Sequence, residues 1–410
     1  MKTTMNLLTS KRATKTLYSL YIFFIFAALG TLINYIPLYY DEIGFNGVQI
    51  SAINVLGSAA LILVAPQIGF VADRAKSKQM VLLAGLLIFA FSLGSIPLLK
   101  SFIPILLLWI IYRTVSGPLY STSENLSYSV AAKTSEKGNS SFGSIRLWGS
   151  VGFALATLAA GWIYQEYGIK ANTVFFLVMI AMSILTLMLT SKSVLDSEEE
   201  KQAEKQEEKL SLNAILKLIV SHRYLFFMAL ALALSDPTQD GIRNFEPIYM
   251  SNLGLEAGMI GFANMLSAIS EVPFMIYADR IIRKIGIRNI ILFVFVFDIL
   301  RRLAVWFFPT AGMVFATSVL TSFSFTFRLV CSVTLVNLTL PKNVTSTANA
   351  FIGVTMFSLG FMISNAIGGF VYDNLGNRYL YLMGAGFSLI SLVLALCAGK
   401  NEPKFVDSVE

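Results

Sequence analysis

Six acids and six arginines lie inside long apolar runs of this 410-residue chain: Glu124, Asp236, Asp240, Glu246, Glu271 and Asp298, with Arg113, Arg146, Arg243, Arg301, Arg302 and Arg328. An ionisable group within a bilayer costs several kcal/mol unless it is paired or hydrated, so its default role is to bind or move charge. The densest set is Asp236, Asp240 and Arg243, at i, i+4 and i+7 and therefore on one helix face. Pro237 falls inside it and frees a backbone carbonyl, which predicts a kinked, hydrated level of the helix. A carboxylate that alternates between a dry site and one shared with an arginine takes up and releases a proton, the chemistry that proton coupling needs. Asp240 is the first candidate and Asp236 the second; the plainer reading is a static intrahelical ion pair.

The other charges read more simply. Arg113 and Glu124 are eleven residues apart, about three turns, and share a face. Asp298 fits i+3 and i+4 pairing with Arg301 and Arg302. Arg328 has no acid on its own run, which leaves Glu271 or the aspartates at 236 and 240 as its natural partners. Tyr18, Tyr21, Phe24, Phe26, Tyr35 and Tyr39 crowd the first run. Most of these aromatics suit lipid or interface contacts, and Tyr35, beside Asn34, is the one chosen to touch a ring-shaped solute. There is no Walker loop and no nucleophile constellation, so an ATP-driven pump or a membrane enzyme is not expected and no catalytic residue is assigned. One histidine, His222, and two distant cysteines, Cys331 and Cys397, give no metal cluster, and no cofactor is implied.

The elements that must position these charges follow from composition. The hydrophobic set makes up 56% of the chain and charged residues only 13%, too few to cover soluble domains. Twelve apolar runs approach the length of a bilayer crossing, at about 17–40, 48–71, 80–99, 102–128, 140–164, 172–190, 222–250, 257–278, 287–308, 311–338, 345–371 and 378–398. The first is too long for a signal-peptide core and is kept as a mature helix. The expected fold is an all-α membrane protein of twelve transmembrane helices. An N-terminal bundle at 1–190 and a C-terminal bundle at 211–410 flank a charged linker at 191–210, read as a solvated tether.

Orientation comes from the 31 lysines and arginines. With both termini cytoplasmic, 22 fall in inside segments and only Lys100, Lys170 and Arg378 in outside loops. This bias predicts a multi-pass plasma-membrane protein and accounts for the net charge of +7 without nucleic acid as a partner. A small-molecule solute, protons and the lipid bilayer are the expected partners, and the chain is expected to act as a monomer.

The halves repeat. Val71-Ala72-Asp73-Arg74 is echoed by Tyr277-Ala278-Asp279-Arg280, with the aspartates 206 positions apart, and Gly161-Trp162-Ile163-Tyr164 by Gly369-Phe370-Val371-Tyr372, 208 positions on. Two matches near half the chain length indicate a duplicated six-helix unit, the arrangement of transporters whose solute site lies near the midplane.

In these features the sequence resembles the major facilitator superfamily over essentially its whole length. Gly69-Phe70-Val71-Ala72-Asp73-Arg74, followed by Lys76 and Lys78, is similar to that family's loop between helices 2 and 3, with Lys76 where a second glycine is usual. Asp73, Arg74, Asp279 and Arg280 are then gating candidates, since an acid beside bases at a helix end forms a pair that breaks when the halves rock. Phe142-Gly143-Ser144-Ile145-Arg146-Leu147-Trp148-Gly149 and the following Ser150 to Leu155 resemble helix 5 of the lactose permease-like branch of sugar, nucleoside and phenylpropionate proton symporters. Gly30, Asn34, Pro37, Leu38 and Tyr39 resemble its first helix, and Glu271-Val272-Pro273 its eighth.

The resemblance implies that Arg146 contacts the solute, that Phe153 stacks on it, and that Glu124 meets Arg146 across neighbouring helices. It places Arg301 near the proton site. The branch's tenth-helix histidine is absent between Thr321 and Phe325, and Phe357 stands where lactose permease has a lysine, so the branch is implied rather than lactose itself. No proline falls between Arg146 and Tyr164, where drug antiporters carry one, which favours uptake. The reading is a secondary transporter working by alternating access, a proton symporter of a sugar, nucleoside or aromatic acid. Drug or lipid export is its alternative, and a solute sensor on the same fold is an alternative of another class. Arg146, Glu124, Phe153, Asn34 and Tyr35 are the substrate candidates; Asp240, Asp236, Glu271, Arg328 and Arg301 are the coupling candidates.

Overall fold

The computed structural model of the protein describes residues 11–75, 77–134, 142–191 and 212–399, and among these the regular elements are all helical. The charged linker lies outside the described residues apart from Ser191. In the first half the helices are α1 (Lys11–Leu32), α2 (Ile36–Glu42), α3 (Gly47–Arg74), α4 (Lys78–Ser95), α5 (Phe102–Thr134), α6 (Phe142–Tyr167) and α7 (Ile169–Leu189). The second half adds α8 (Leu212–Ser221), α9 (Arg223–Asn252), α10 (Ala257–Ile285), α11 (Ile287–Phe307), α12 (Ala311–Thr339), α13 (Lys342–Ala350), α14 (Phe357–Leu375) and α15 (Arg378–Cys397).

Ten of the described helical spans are long and apolar enough to cross a bilayer, or eleven if the bent pair α8 and α9 counts as one span. The remaining run of the sequence is α11, which carries Asp298, Arg301 and Arg302 within its crossing length. The first span is broken at residues 33–35, where Pro37 sits in the first turn of α2 and lacks the amide that a continuous helix would use. The helix continues through Pro237, and the sharp turn of this region lies at His222, where α8 and α9 meet at 108°. The eleventh run is three pieces, with a π-helical stretch at Phe351–Met356 between α13 and α14.

Side-chain caps mark the starts of α4 and α12, among other helices. Ser77 accepts from the Met80 amide at the start of α4, and Thr310 from the Met313 amide at the start of α12. Glycines with positive φ repeat as the motifs do: Gly44 and Gly254 precede α3 and α10, and Gly168 and Gly376 follow α6 and α14. Each turn needs a left-handed backbone that a Cβ would strain, so both halves place glycine at the same structural positions.

The described chain forms two compact units, one from Met1–Phe45, Leu56–Glu200 and Leu255–Ile269, the other from Asn46–Val55, Lys201–Gly254 and Ser270–Glu410. In the first, α1 packs on α5, α6 and α7, and α4 on α5 and α7. In the second, α9 packs on α12, α14 and α15, and α11 on α12 and α15. These are the same pairings one repeat later.

Lipid is as apolar as leucine, so close packing must hold such helices together in place of a hydrophobic drive. The crossing of α1 and α6 shows how. A Cβ on Gly152 would collide with the Phe23 carbonyl, and one on Gly30 would lie 2.7 Å from the Phe153 carbonyl. Gly152→Leu is expected to cost about 1–3 kcal/mol by overpacking this crossing. Gly386→Ala, in open space on α15, should leave thermal unfolding in detergent unchanged or slightly improved.

Candidate functional site

In the first unit the site is built on α1, α5 and α6. Tyr18 donates to the Ser123 carbonyl at 2.7 Å, and the Tyr21 hydroxyl meets that of Ser123 at 2.6 Å, which fixes α5 one residue before Glu124. Arg146 of α6 then stands with Nε 3.5 Å from Glu124 Oε1, and its guanidinium lies 4.5 Å from the centre of the Phe26 ring. Phe26 in turn stacks on Tyr120 at 5.7 Å. Gly149, one turn along α6, keeps this space open, since a Cβ there would lie 2.9 Å from Phe26 and 3.0 Å from Arg146 Nη1.

The Arg146 and Glu124 side chains stay 35% and 45% exposed. A pair this exposed adds at most about 1 kcal/mol to folding. It presents a planar fork of donors, a carboxylate acceptor and an aromatic face, which together suit a polar ring-shaped solute.

The other substrate candidates are placed differently. Phe153 is half-buried two turns along α6 from Arg146. Asn34 and Tyr35 are buried, with their polar atoms bonded to α6: Asn34 Nδ2 donates to Thr157 Oγ1 at 3.2 Å, and Tyr35 to the Thr157 carbonyl at 2.6 Å. Tyr35 also stacks on Tyr164, whose hydroxyl donates to Glu42 at 2.6 Å. These contacts brace the broken first span against α6.

The second unit buries its charges in two linked clusters. Arg328 Nη1 donates to Asp298 Oδ2 at 2.5 Å and to Ser235 at 3.1 Å, and Ser235 donates to the same carboxylate at 3.1 Å. Arg302 reaches Asp298 at 4.0 Å and donates to the Gly384 carbonyl at 2.6 Å and to Ser388. The next residue back turns elsewhere: Arg301 Nη2 donates to Glu246 Oε1 at 2.6 Å, and Tyr381 donates to that oxygen at 2.9 Å.

Two sequence expectations are corrected here. Arg301 pairs with Glu246 of α9 rather than with Asp298 at i−3: positions i+3 and i+4 flank Asp298 at about −60° and +40°, so the two arginines diverge and only Arg302 turns to it. Arg328 finds its acid in Asp298 of α11, where sequence spacing points to Glu271 or the α9 aspartates. Glu246 is the residue that sequence reasoning left without a role, and its signal was the equal number of buried acids and arginines.

The side chains of Asp236 and Asp240 lie outside the described residues, as does that of Asp73. Glu271 is half-buried on α10, and Arg243 and Asp279 are exposed. Arg74 lies 3.7 Å over the Phe70 ring and Arg280 5.9 Å from the Tyr277 ring, so both of these gating candidates rest on an aromatic of their own helix. Among the described residues no group of histidine, cysteine and acid could hold a metal.

Helix pairings that repeat between the halves, apolar spans and buried charges of both signs mark a multi-pass membrane protein. The chain belongs to the MFS_1 like family of the major facilitator superfamily, whose family model matches residues 15–383. Its members carry solutes and are not enzymes. The chain is 25% identical over 391 residues to the maltose permease of Geobacillus stearothermophilus, covering 95% of this chain and 96% of that one. To the uncharacterized transporter YwbF of Bacillus subtilis (strain 168) it is 24% identical over 386 residues, covering 93% and 92%. An aspartate-to-alanine mutant of the nucleoside transporter NupG has the same fold, with a TM-score of 0.80 at 17% identity over 94% of this chain and all of that one.

The two kinds of charge pair separate by their effect on stability. Arg328→Met removes the nearer guanidinium from Asp298, leaves the buried acid to Arg302 at 4.0 Å and Ser235, and is expected to cost about 3–5 kcal/mol. Glu124→Gln, in the half-exposed pair, should cost less than about 1 kcal/mol. Thermal unfolding of the two variants in detergent measures the difference.

Proposed function

We propose that the protein is a proton-coupled symporter that takes up a small, neutral, polyhydroxylated solute, a sugar or a nucleoside, across the plasma membrane, as a monomer with both termini cytoplasmic. The observation that carries this reading is the Glu124 and Arg146 pair against Phe26. Because the acid already balances the guanidinium, the site has no spare cation for a carboxylate solute, so an aromatic acid fits it less well than hydroxyl groups do. The fork and the carboxylate give donors and acceptors to hydroxyls, and the aromatic face covers the ring. A maltose permease among the relatives and a nucleoside transporter among the structural neighbours support the same solute class. The bias of lysine and arginine toward one side supports the orientation.

Coupling is assigned to the second unit. Asp240 and Asp236 remain candidates from their spacing, with Glu271 behind them, and Glu246 joins them because Arg301 and Tyr381 converge on one of its oxygens. A proton on Glu246 weakens its tie to Arg301, which couples protonation to the seating of α9 against α11. Arg328 and Arg301 are the cations that reset the acids.

Arg146→Lys cannot reproduce the planar fork, so binding of maltose and of uridine, followed by calorimetry, should be lost at every pH. Uptake into proteoliposomes under an inward proton gradient tests the coupling. Glu246→Gln should keep exchange of solute down its gradient and lose accumulation. Accumulation unchanged in Glu246→Gln, Asp240→Asn, Asp236→Asn and Glu271→Gln would overturn the coupling assignment. Uptake that requires the opposite gradient would identify an exporter, and binding without accumulation a sensor.

A further inference from the structure

We infer that Asp373 and Gln165 are a repeat-related pair of detachable caps, which seat the first turns of α3 and α10 and release them when that face of the molecule opens. The two residues stand 208 positions apart, the interval of the Gly161 and Gly369 motifs that end immediately before them. Near the end of α14, Asp373 takes the Gly47 amide on Oδ1 at 2.6 Å and the Val48 amide on Oδ2 at 2.9 Å. Near the end of α6, Gln165 takes the Gly258 amide on Oε1 at 3.2 Å and donates from Nε2 to Glu256 at 2.8 Å. Each contact lies inside one compact unit: Asn46–Val55 sits with the second and Leu255–Ile269 with the first. Thus α3 and α10 each start in one unit and finish in the other.

Beneath each cap the backbones touch. A Cβ on Gly369 would lie 2.5 Å from the Gly47 carbonyl, and one on Gly161 would lie 2.7 Å from the Ala257 carbonyl. The glycines of the repeated motif are what allow the caps to reach.

The cap on α3 is added to one the helix already has. Asn46 and Gln49 bond reciprocally, Gln49 N to Asn46 Oδ1 at 2.8 Å and Asn46 N to Gln49 Oε1 at 3.1 Å, so the first turn holds without Asp373. Withdrawal of Asp373 exposes two amides to water and leaves the helix intact. The residue types also follow from the geometry. Asp373 supplies two oxygens and a charge that the helix N-terminus favours. Gln165 must accept on one side and donate to a carboxylate on the other, which no acid does when ionised. By chain alternation the connections at 43–46, 168, 253–256 and 376–377 all fall on the face opposite the N-terminus.

The inference rests on the reading that the chain moves solute by alternating access, but its test needs no solute. Ser51 is 3% exposed and lies against Gly369. In full-length protein in detergent, with Cys397→Ser to lower the background, Ser51→Cys should react slowly with a bulky maleimide. Adding Asp373→Ala should raise that rate roughly two- to thirtyfold, the range that loss of a helix cap gives, and Asp373→Asn should raise it less. Gln165→Ala should do the same for a reporter at Ala257→Cys. If Asp373→Ala fails to fold, Asp373→Asn carries the test. Parental rates in folded Asp373 and Gln165 variants would overturn the inference, whatever uptake assays find for the solute.

Discussion

Hydrocarbon offers no counter-charge, so each guanidinium and carboxylate buried in the second unit must be answered by another group of that unit. Asp298 is the hub of that arrangement. It draws Arg328 from α12, Ser235 from α9 and, one turn along its own helix, Arg302, which also reaches Gly384 and Ser388 of α15. Glu246 joins α9 to α11 and α15 through Arg301 and Tyr381. Asp298 and Arg328 tie α11 to α12, which also pack directly, whereas Glu246 and Arg301 tie α9 to α11, which touch little otherwise, so the polar links add lateral order among helices that lipid cannot sort.

The first unit solves the same problem with neutral groups. Tyr18 and Tyr21 meet Ser123, Asn34 and Tyr35 meet Thr157, and Asn172 donates to the Thr31 carbonyl. With its helices held this way, the Glu124 and Arg146 pair stays partly exposed and carries little of the unit's packing. The two units therefore differ in how deeply each buries its charges.

Much of this was legible in one dimension. Apolar runs, the lysine and arginine bias and the 206- and 208-residue echoes depend on residue type and count, which a sequence displays directly. The meeting of Glu124 with Arg146 was also legible through the helix-5 stretch. The partners of Arg301 and Arg328 were not, because sequence spacing reports neighbours on one helix, whereas these arginines reach across to α9 and α11. Equally hidden were the bend at His222 and the π-helical stretch at Phe351–Met356, since neither interrupts an apolar run. Gln165 and Asp373 passed unnoticed because an amide and an acid do not look like a repeat until both are seen against a helix start.

The half-exposed state of Glu124 and Arg146 has a consequence for how such a chain diversifies. Residues that hold a fold together are closed to change, because most substitutions there fall below the stability a protein needs. The pair against Phe26 carries little of that load, and Gly149 leaves a gap that any larger side chain would narrow. Selection can therefore alter Phe26, Tyr120 or Gly149 at little cost to stability while the buried clusters of α9, α11, α12 and α15 stay fixed. Under the proposed roles, a lineage built on this plan would acquire new substrates by small steps in one half and keep its coupling machinery in the other.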